Sequence, residues 1–234
     1  MSMNPYYQDD YATIYHGDYQ DIITRIAGCD LILTDPPYGI SHPCNFKTRG
    51  RGNLANCSDY PDVHGDDKPF EPDNYLLSYP CILWGANHYA SKLPDSSGWL
   101  VWDKERPDDL DQSTCELGWS NVIKGVRRFR YLWNGMIRAG DDQLYHPTQK
   151  PVALMSWCLG LRWTRDFRTV LDPFMGSGTT LVAAKERQQK ATGIEIEEKY
   201  CEIAARRLSQ EVLALGSACP ENVKAPVESE FLFK

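Results

Sequence analysis

From Arg168 to Leu215 the chain alternates strand and helix patterns twice, as RTVLDPF, GTTLVAAKERQQ, KATGIEI and EEKYCEIAARRLSQEVLAL. Two parallel strands cannot be joined by a tight turn. The chain must cross back over the sheet, and a helix does this most economically. The same alternation opens the chain, with a strand pattern at 11–18 (YATIYHGD), a helix pattern in YQDIITRIAG and a strand pattern in DLILTD. It resumes after a polar stretch at 41–68 with a helix pattern around PDNYLLSY, strand patterns in CILWGAN and GWLVWDK, and further strand-like pieces at 115–124 and 126–133. A helix pattern in KPVALMSWCLGLRWT follows. The expected fold is α/β, a doubly wound, mostly parallel Rossmann-like sheet with helices on both faces. One domain is expected over 1–215, interrupted by the 41–68 insertion and a small region at 124–145, with 216–234 as an extension.

The strand pattern DLILTD ends in Asp35-Pro36-Pro37-Tyr38. Two prolines terminate a strand by themselves, since they lack an N–H and fix φ. They do not explain the acid at the carboxyl edge, where open α/β sheets place their ligand crevice, nor the aromatic plate beside it. A carboxylate, a stiff carbonyl-bearing backbone and a flat ring together suit a flat heterocycle that carries an amine.

A second motif, VLDPFMGSGTT, runs from a strand through Asp172, Phe174, Gly176 and Gly178 into a helix that opens at Thr179. The glycines allow close backbone approach, and the helix start offers free N–H groups. No Gly-Lys-Ser/Thr follows, so this is not a P-loop, and the third glycine of the dinucleotide fingerprint is absent. Glu195 ends the next strand 17 residues beyond Gly178, where such folds place a ribose-binding acid. Helix capping is the structural alternative for Glu195.

The chain of 234 residues carries a net charge of −7, which argues against a nucleic-acid partner unless basic groups are concentrated locally. They are. The window KGVRRFRYLWNGMIR holds Lys124, Arg127, Arg128, Arg130 and Arg138 with no acid, and Lys47, Arg49 and Arg51 form a smaller group. These are the candidate nucleic-acid phosphate contacts. The alternative is a solvated strand face bearing Arg128 and Arg130, with Phe129, Tyr131 and Trp133 turned inward. Eight cysteines without a CxxC pair indicate neither a zinc site nor a disulfide framework. No long apolar run or secretory pattern occurs, so a cytoplasmic, metal-free protein is expected.

TDPPYG, HPTQKPV and DPFMGSGTT, in that order, resemble the amino-methyltransferases that use S-adenosylmethionine to methylate exocyclic amines in DNA, and the order resembles their permuted β group. The resemblance spans roughly 11–214 and implies S-adenosylmethionine as cofactor, DNA as partner and a homodimer as one assembly. It assigns Asp35, Pro36, Pro37 and Tyr38 to catalysis. It assigns Phe174, Gly176 and Gly178 to the loop beneath the methionine moiety, Asp172 to the acid leading into it and Thr179 to the helix start. Glu195 falls to the ribose, Asp18 to the adenine, and His146, Thr148, Gln149 and Lys150 to the methionine end. Asp18 and Thr148 also read as helix caps. In relatives an aspartate at the first motif position resembles the adenine-N6 enzymes and a serine the cytosine-N4 ones, and here the residue is Asp35.

Other readings are a cofactor-binding but catalytically silent subunit, and an enzyme acting on RNA or a protein amide. Pro80-Cys81 and Glu221-Asn222-Val223 mimic cytosine carbon-5 methyltransferase motifs, yet Cys81 opens an apolar strand and the order is wrong.

Overall fold

A computed structural model describes residues 4–26, 28–39, 65–106, 113–134, 137–139, 143–145 and 149–214. Its strands are β1 (Tyr7–Gln8), β2 (Ala12–His16), β3 (Leu31–Thr34), β4 (Cys81–Trp84), β5 (Gly98–Asp103), β6 (Cys115–Ser120), β7 (Val126–Arg130), β8 (Trp133–Asn134), β9 (Ile137–Arg138), β10 (Thr169–Asp172) and β11 (Lys190–Glu195). Its helices are α1 (Tyr19–Ile22), α2 (Asn74–Ser78), α3 (Val152–Gly160), α4 (Thr179–Glu186) and α5 (Glu198–Ala214). The helix expected from Tyr19 is short, and gives way to a 3-10 turn at Ile23–Arg25 where the β-branched run Ile22-Ile23-Thr24 weakens the helix.

Nine strands form one sheet in the order β1-β2-β11-β10-β3-β4-β6-β5-β7, and β8 pairs with β9 separately. From β2 to β4 every neighbouring pair is parallel. β3 and β4 are buried along their whole length, as parallel strands covered on both faces must be. Alternate side chains divide between two cores. Leu31 and Leu33 pack with residues of α3, α4 and α5 on one face, while Ile32 packs with Ile22 of α1 and Leu76 of α2 on the other. Helices therefore cover both faces, and the doubly wound reading holds.

The centre of the sheet is tied at both ends. Asp30 accepts the Arg168 and Thr169 N–H groups at 2.8 and 2.9 Å, joining the start of β3 to the start of β10. At the carboxyl ends of the same strands, Thr34 Oγ1 donates to Asp172 Oδ1 at 2.6 Å.

β6 runs against its neighbours β4 and β5. Its first residues therefore arrive at the edge where β3, β4, β10 and β11 end. Trp84, the last residue of β4, pairs with Gly118, so Glu116 stands two residues past the end of β4, about 7 Å further out. The β5–β6–β7 portion thus forms a ledge beside the crevice.

Candidate active site at the carboxyl edge of the sheet

One cavity of about 530 Å³ opens at this edge. It is lined by Asp18 after β2, the whole Asp35-Pro36-Pro37-Tyr38 turn after β3, Gln149 and Lys150 before α3, Asp172, Phe174 and Gly176 after β10, Thr179 of α4 and Glu195 of β11. Residues from three separated motifs thus meet in one place.

Gly178 does not line the cavity, and its requirement is steric. Its φ is +82°, and an added Cβ would lie 2.7 Å from the Cβ of Ala204 on α5. The glycine brings α4 against α5, while Gly176 faces open space. Glu195 fixes the loop. Its carboxylate accepts the N–H groups of Gly176 and Glu197, each at 2.9 Å, and burial pushes its carboxyl above the ordinary range. A carboxylate has about four lone-pair sites, so acceptor capacity remains. Asp172 accepts the Phe174 N–H at 3.1 Å, and burial pushes its carboxyl up to about 6.

Asp18 and Gln149 each combine a structural role with a place in the cavity lining. Asp18 caps α1, accepting the Gln20 N–H at 2.9 Å, and also faces the cavity. Gln149 lines the cavity, yet its amide is engaged in protein contacts: Oε1 accepts from Tyr145 N and Ser177 Oγ at 3.0 Å, and Nε2 donates to the Gln143 carbonyl at 2.9 Å. It staples the segment before α3 to the glycine loop. His146 and Thr148 lie outside the described residues, as do Lys47, Arg49, Arg51 and the side chain of Arg138.

The Asp35-Pro36-Pro37-Tyr38 turn is held from three sides. Asp66, absent from the sequence reading, accepts the N–H groups of Tyr38 and Gly39 at 3.1 and 2.9 Å. The Tyr38 ring stacks on His88 with centroids 4.8 Å apart and an interplanar angle of 14°. Its hydroxyl donates to Asp35 Oδ1. Lys150, expected at the methionine end by resemblance, lines the cavity and places its ammonium 2.5 Å from Asp35 Oδ2 and 2.8 Å from Glu116, whose other oxygen meets Lys104 at 3.0 Å. Glu116 and Lys104 carried no motif signal. The reversed direction of β6 brings Glu116 here, and Lys104 follows the carboxyl end of β5, which runs with β4.

The basic window divides. Arg128 and Arg130 lie on the exposed face of β7, but Arg127 shares the Phe129 face, with its guanidinium 4.9 Å from the Trp163 ring. Strand alternation forbids the three arginines from forming one surface. Arg130 is also paired with Asp103 at 3.1 Å. Lys124 is exposed. Cys81 is fully buried, and burial pushes its thiol up to about 12, which removes it as a nucleophile. Glu221, Asn222 and Val223 lie outside the described residues.

Residues 99–206 match the family model described as DNA methylase. The chain is 36% identical to the type II methyltransferase M.ScaI of Streptomyces caespitosus, over 90% of this chain and 86% of that protein. It belongs to the N6/N4 DNA methylase family. Among solved structures, this methylase is similar in fold to the PvuII DNA methyltransferase, a cytosine-N4-specific enzyme, with a TM-score of 0.57 at 14% identity, covering 87% of this chain and 88% of that one. It is also similar to an M1.HpyAVI–SAM complex, with a TM-score of 0.50 at 22% identity, covering 84% and 99%. Among the described residues, no helix of the methylase is long and apolar enough to cross a membrane.

Proposed function

We propose that this methylase transfers the methyl group of S-adenosylmethionine to the exocyclic N6 amine of adenine in DNA. The observation that carries this reading is the meeting of Asp35 with Gly176 and Glu195 in one cavity. The cavity suits this cofactor. Its charged lining is mostly acidic, with Asp18, Asp35, Asp66, Glu71, Asp172, Glu195 and Glu197 against Lys68 and Lys150. Such a lining favours a cationic ligand over a polyphosphate. The neighbouring structure determined as a SAM complex shares this fold.

When bound, the cofactor supplies an electrophilic methyl on a cationic sulfur. The amine to be methylated is a poor nucleophile, because its lone pair is delocalised into the ring. Asp35 and the Pro36 carbonyl would accept its two N–H groups and draw the nitrogen toward tetrahedral geometry. Positioning and electrostatics then suffice for in-line displacement. In that displacement the nitrogen–methyl bond would form as the carbon–sulfur bond breaks with its electron pair left on sulfur, and the methylated amine would give up one proton to solvent. Tyr38, whose ring already stacks on the His88 imidazole, would offer its aromatic plate to the base. A base within duplex DNA reaches the site only by flipping. Soluble surroundings in a bacterium or phage, with or without a restriction partner, fit the reading.

What supports adenine over cytosine is the acid at position 35, since an ionised carboxylate is a stronger acceptor than a hydroxyl. The test is to incubate the protein with S-adenosylmethionine and mixed DNA and identify the modified nucleoside by mass spectrometry. N6-methyladenine is expected, together with its loss and retained cofactor binding in Asp35→Ala. Mainly N4-methylcytosine overturns the choice of base, and near-parental turnover in Asp35→Ala overturns the mechanism.

A further inference from the structure

Both oxygens of Asp35 are occupied, Oδ1 by the Tyr38 hydroxyl and Oδ2 by the Lys150 ammonium. Each oxygen keeps a lone pair, but an incoming amine must compete for this carboxylate with the Tyr38 hydroxyl and the Lys150 ammonium. Lys150 is 6% exposed, where an ammonium that loses its only counter-ion is strongly destabilised. Lys150 does not face that cost, because its three donors have three acceptors: Asp35 Oδ2 at 2.5 Å, Glu116 Oε1 at 2.8 Å and the Tyr38 hydroxyl at 3.0 Å. Glu116 is in turn fixed by Lys104 at 3.0 Å.

We propose that Glu116, backed by Lys104, is a positioning residue for Asp35: it retains the Lys150 ammonium while Lys150 releases Asp35 to the substrate amine. The proposal rests on Asp35 as the amine acceptor and holds for adenine or cytosine alike. It also sets the charge of the site. With two acids against two lysines, Lys150 does not dominate Asp35, and the carboxylate can still favour the positive charge that develops on the amine. The groups acting on Asp35 agree. Burial pushes its carboxyl up, Lys150 opposes this and Glu116 adds to it. Glu116 itself is buried, but Lys150 and Lys104 outweigh burial and hold it down at about 2, so it stays ionised. Among the described residues, Tyr38, Tyr89 and Asp172 also interact with Asp35, His88 stacks on Tyr38, and Arg106 acts on Glu116 from further out.

The test measures kcat at saturating cofactor and DNA across pH, with cofactor affinity by calorimetry and a thermal melt as the fold control. Glu116→Gln is expected to lower kcat at least about tenfold, to leave cofactor affinity within about twofold, and to move the acid limb of kcat to lower pH. The direction follows because Lys150, freed of its second acid, holds Asp35 ionised further into acid. Glu116→Asp, which keeps the charge but shortens the reach, is expected to lower kcat less and leave the limb near its parental position. Because Glu116 acts through Lys150, Glu116→Gln/Lys150→Met is expected to be no slower than Lys150→Met alone. Parental kcat with an unmoved limb in Glu116→Gln, or independent losses in the double variant, overturns the proposal. If Glu116→Gln fails to fold, Glu116→Asp and the double variant decide in the same way. A failure of the underlying reading shows separately, as turnover retained in Asp35→Ala.

Discussion

The Glu195 carboxylate accepts the Gly176 N–H at 2.9 Å, so the acid that ends β11 also fixes the loop that follows β10. Removing it takes away both an acceptor in the cavity and the shape of the cavity floor. Glu195→Ala is expected to weaken S-adenosylmethionine binding at least about tenfold, on the order of 1.4 kcal/mol. Titration calorimetry on the folded variant checks this, and unchanged affinity counts against the role of Glu195.

Asp172 provides a pH signature. Its carboxyl is held at about 6 in the fold against an ordinary value of 3.8. The folded state thus keeps a proton that the unfolded chain releases. The contribution is fully present below the unfolded value and is lost as pH rises through about 6, by roughly 3 kcal/mol. Urea unfolding of the parent and of Asp172→Asn at pH 4 and pH 7 isolates it. The stability difference between parent and variant is expected to shift against the parent at the higher pH.

The same proton affects ligand binding. A cationic ligand beside Asp172 favours its ionised form. Cofactor affinity is therefore expected to rise between about pH 5 and 7, with proton release seen as a buffer-dependent heat in calorimetry. Asp172→Asn is expected to flatten that rise.

Gly178 tests packing rather than contact with a ligand. Gly178→Ala places a Cβ against Ala204 and imposes a positive φ on a residue that disfavours it, with an expected loss of about 1–3 kcal/mol in denaturant unfolding. Combining it with Ala204→Gly is expected to recover the steric part and leave the backbone strain.

Strand alternation divides the basic window into separable predictions. Lys124→Glu with Arg128→Glu is expected to weaken DNA binding and flatten its dependence on salt, whereas Arg127→Glu is expected to leave the salt slope near its parental value. Filter binding over a salt series distinguishes them.

The legible parts of the site are those written locally. Asp35, Asp172 and Glu195 each stand at the end of an apolar strand pattern, so alternation alone brings them to the carboxyl edge. Asp66 and Glu116 are not legible in this way. Asp66 bonds a turn 27 and 28 residues before it, and Glu116 depends on the direction and register of β6, which no periodicity encodes. Counting charge across a window groups Arg127 with Arg128, which a period of two places on opposite faces of the strand. Gly178 is assigned correctly to the turn, but its closest relationship is with a helix reached more than 20 residues later.

The seam between β3 and β10 joins residues as far apart as Thr34 and Asp172, 138 positions along the chain. During synthesis, β3 emerges early and can pair at once only with β4. Its other edge must wait for the last third of the protein to leave the ribosome, since domains complete folding only when their distant partners are available. Asp35 and the glycine loop after β10 are thus brought together last. A truncated chain ending before β10 would retain every residue of the Asp-Pro-Pro-Tyr turn and still have no active site, with an unpaired hydrophobic strand in its place.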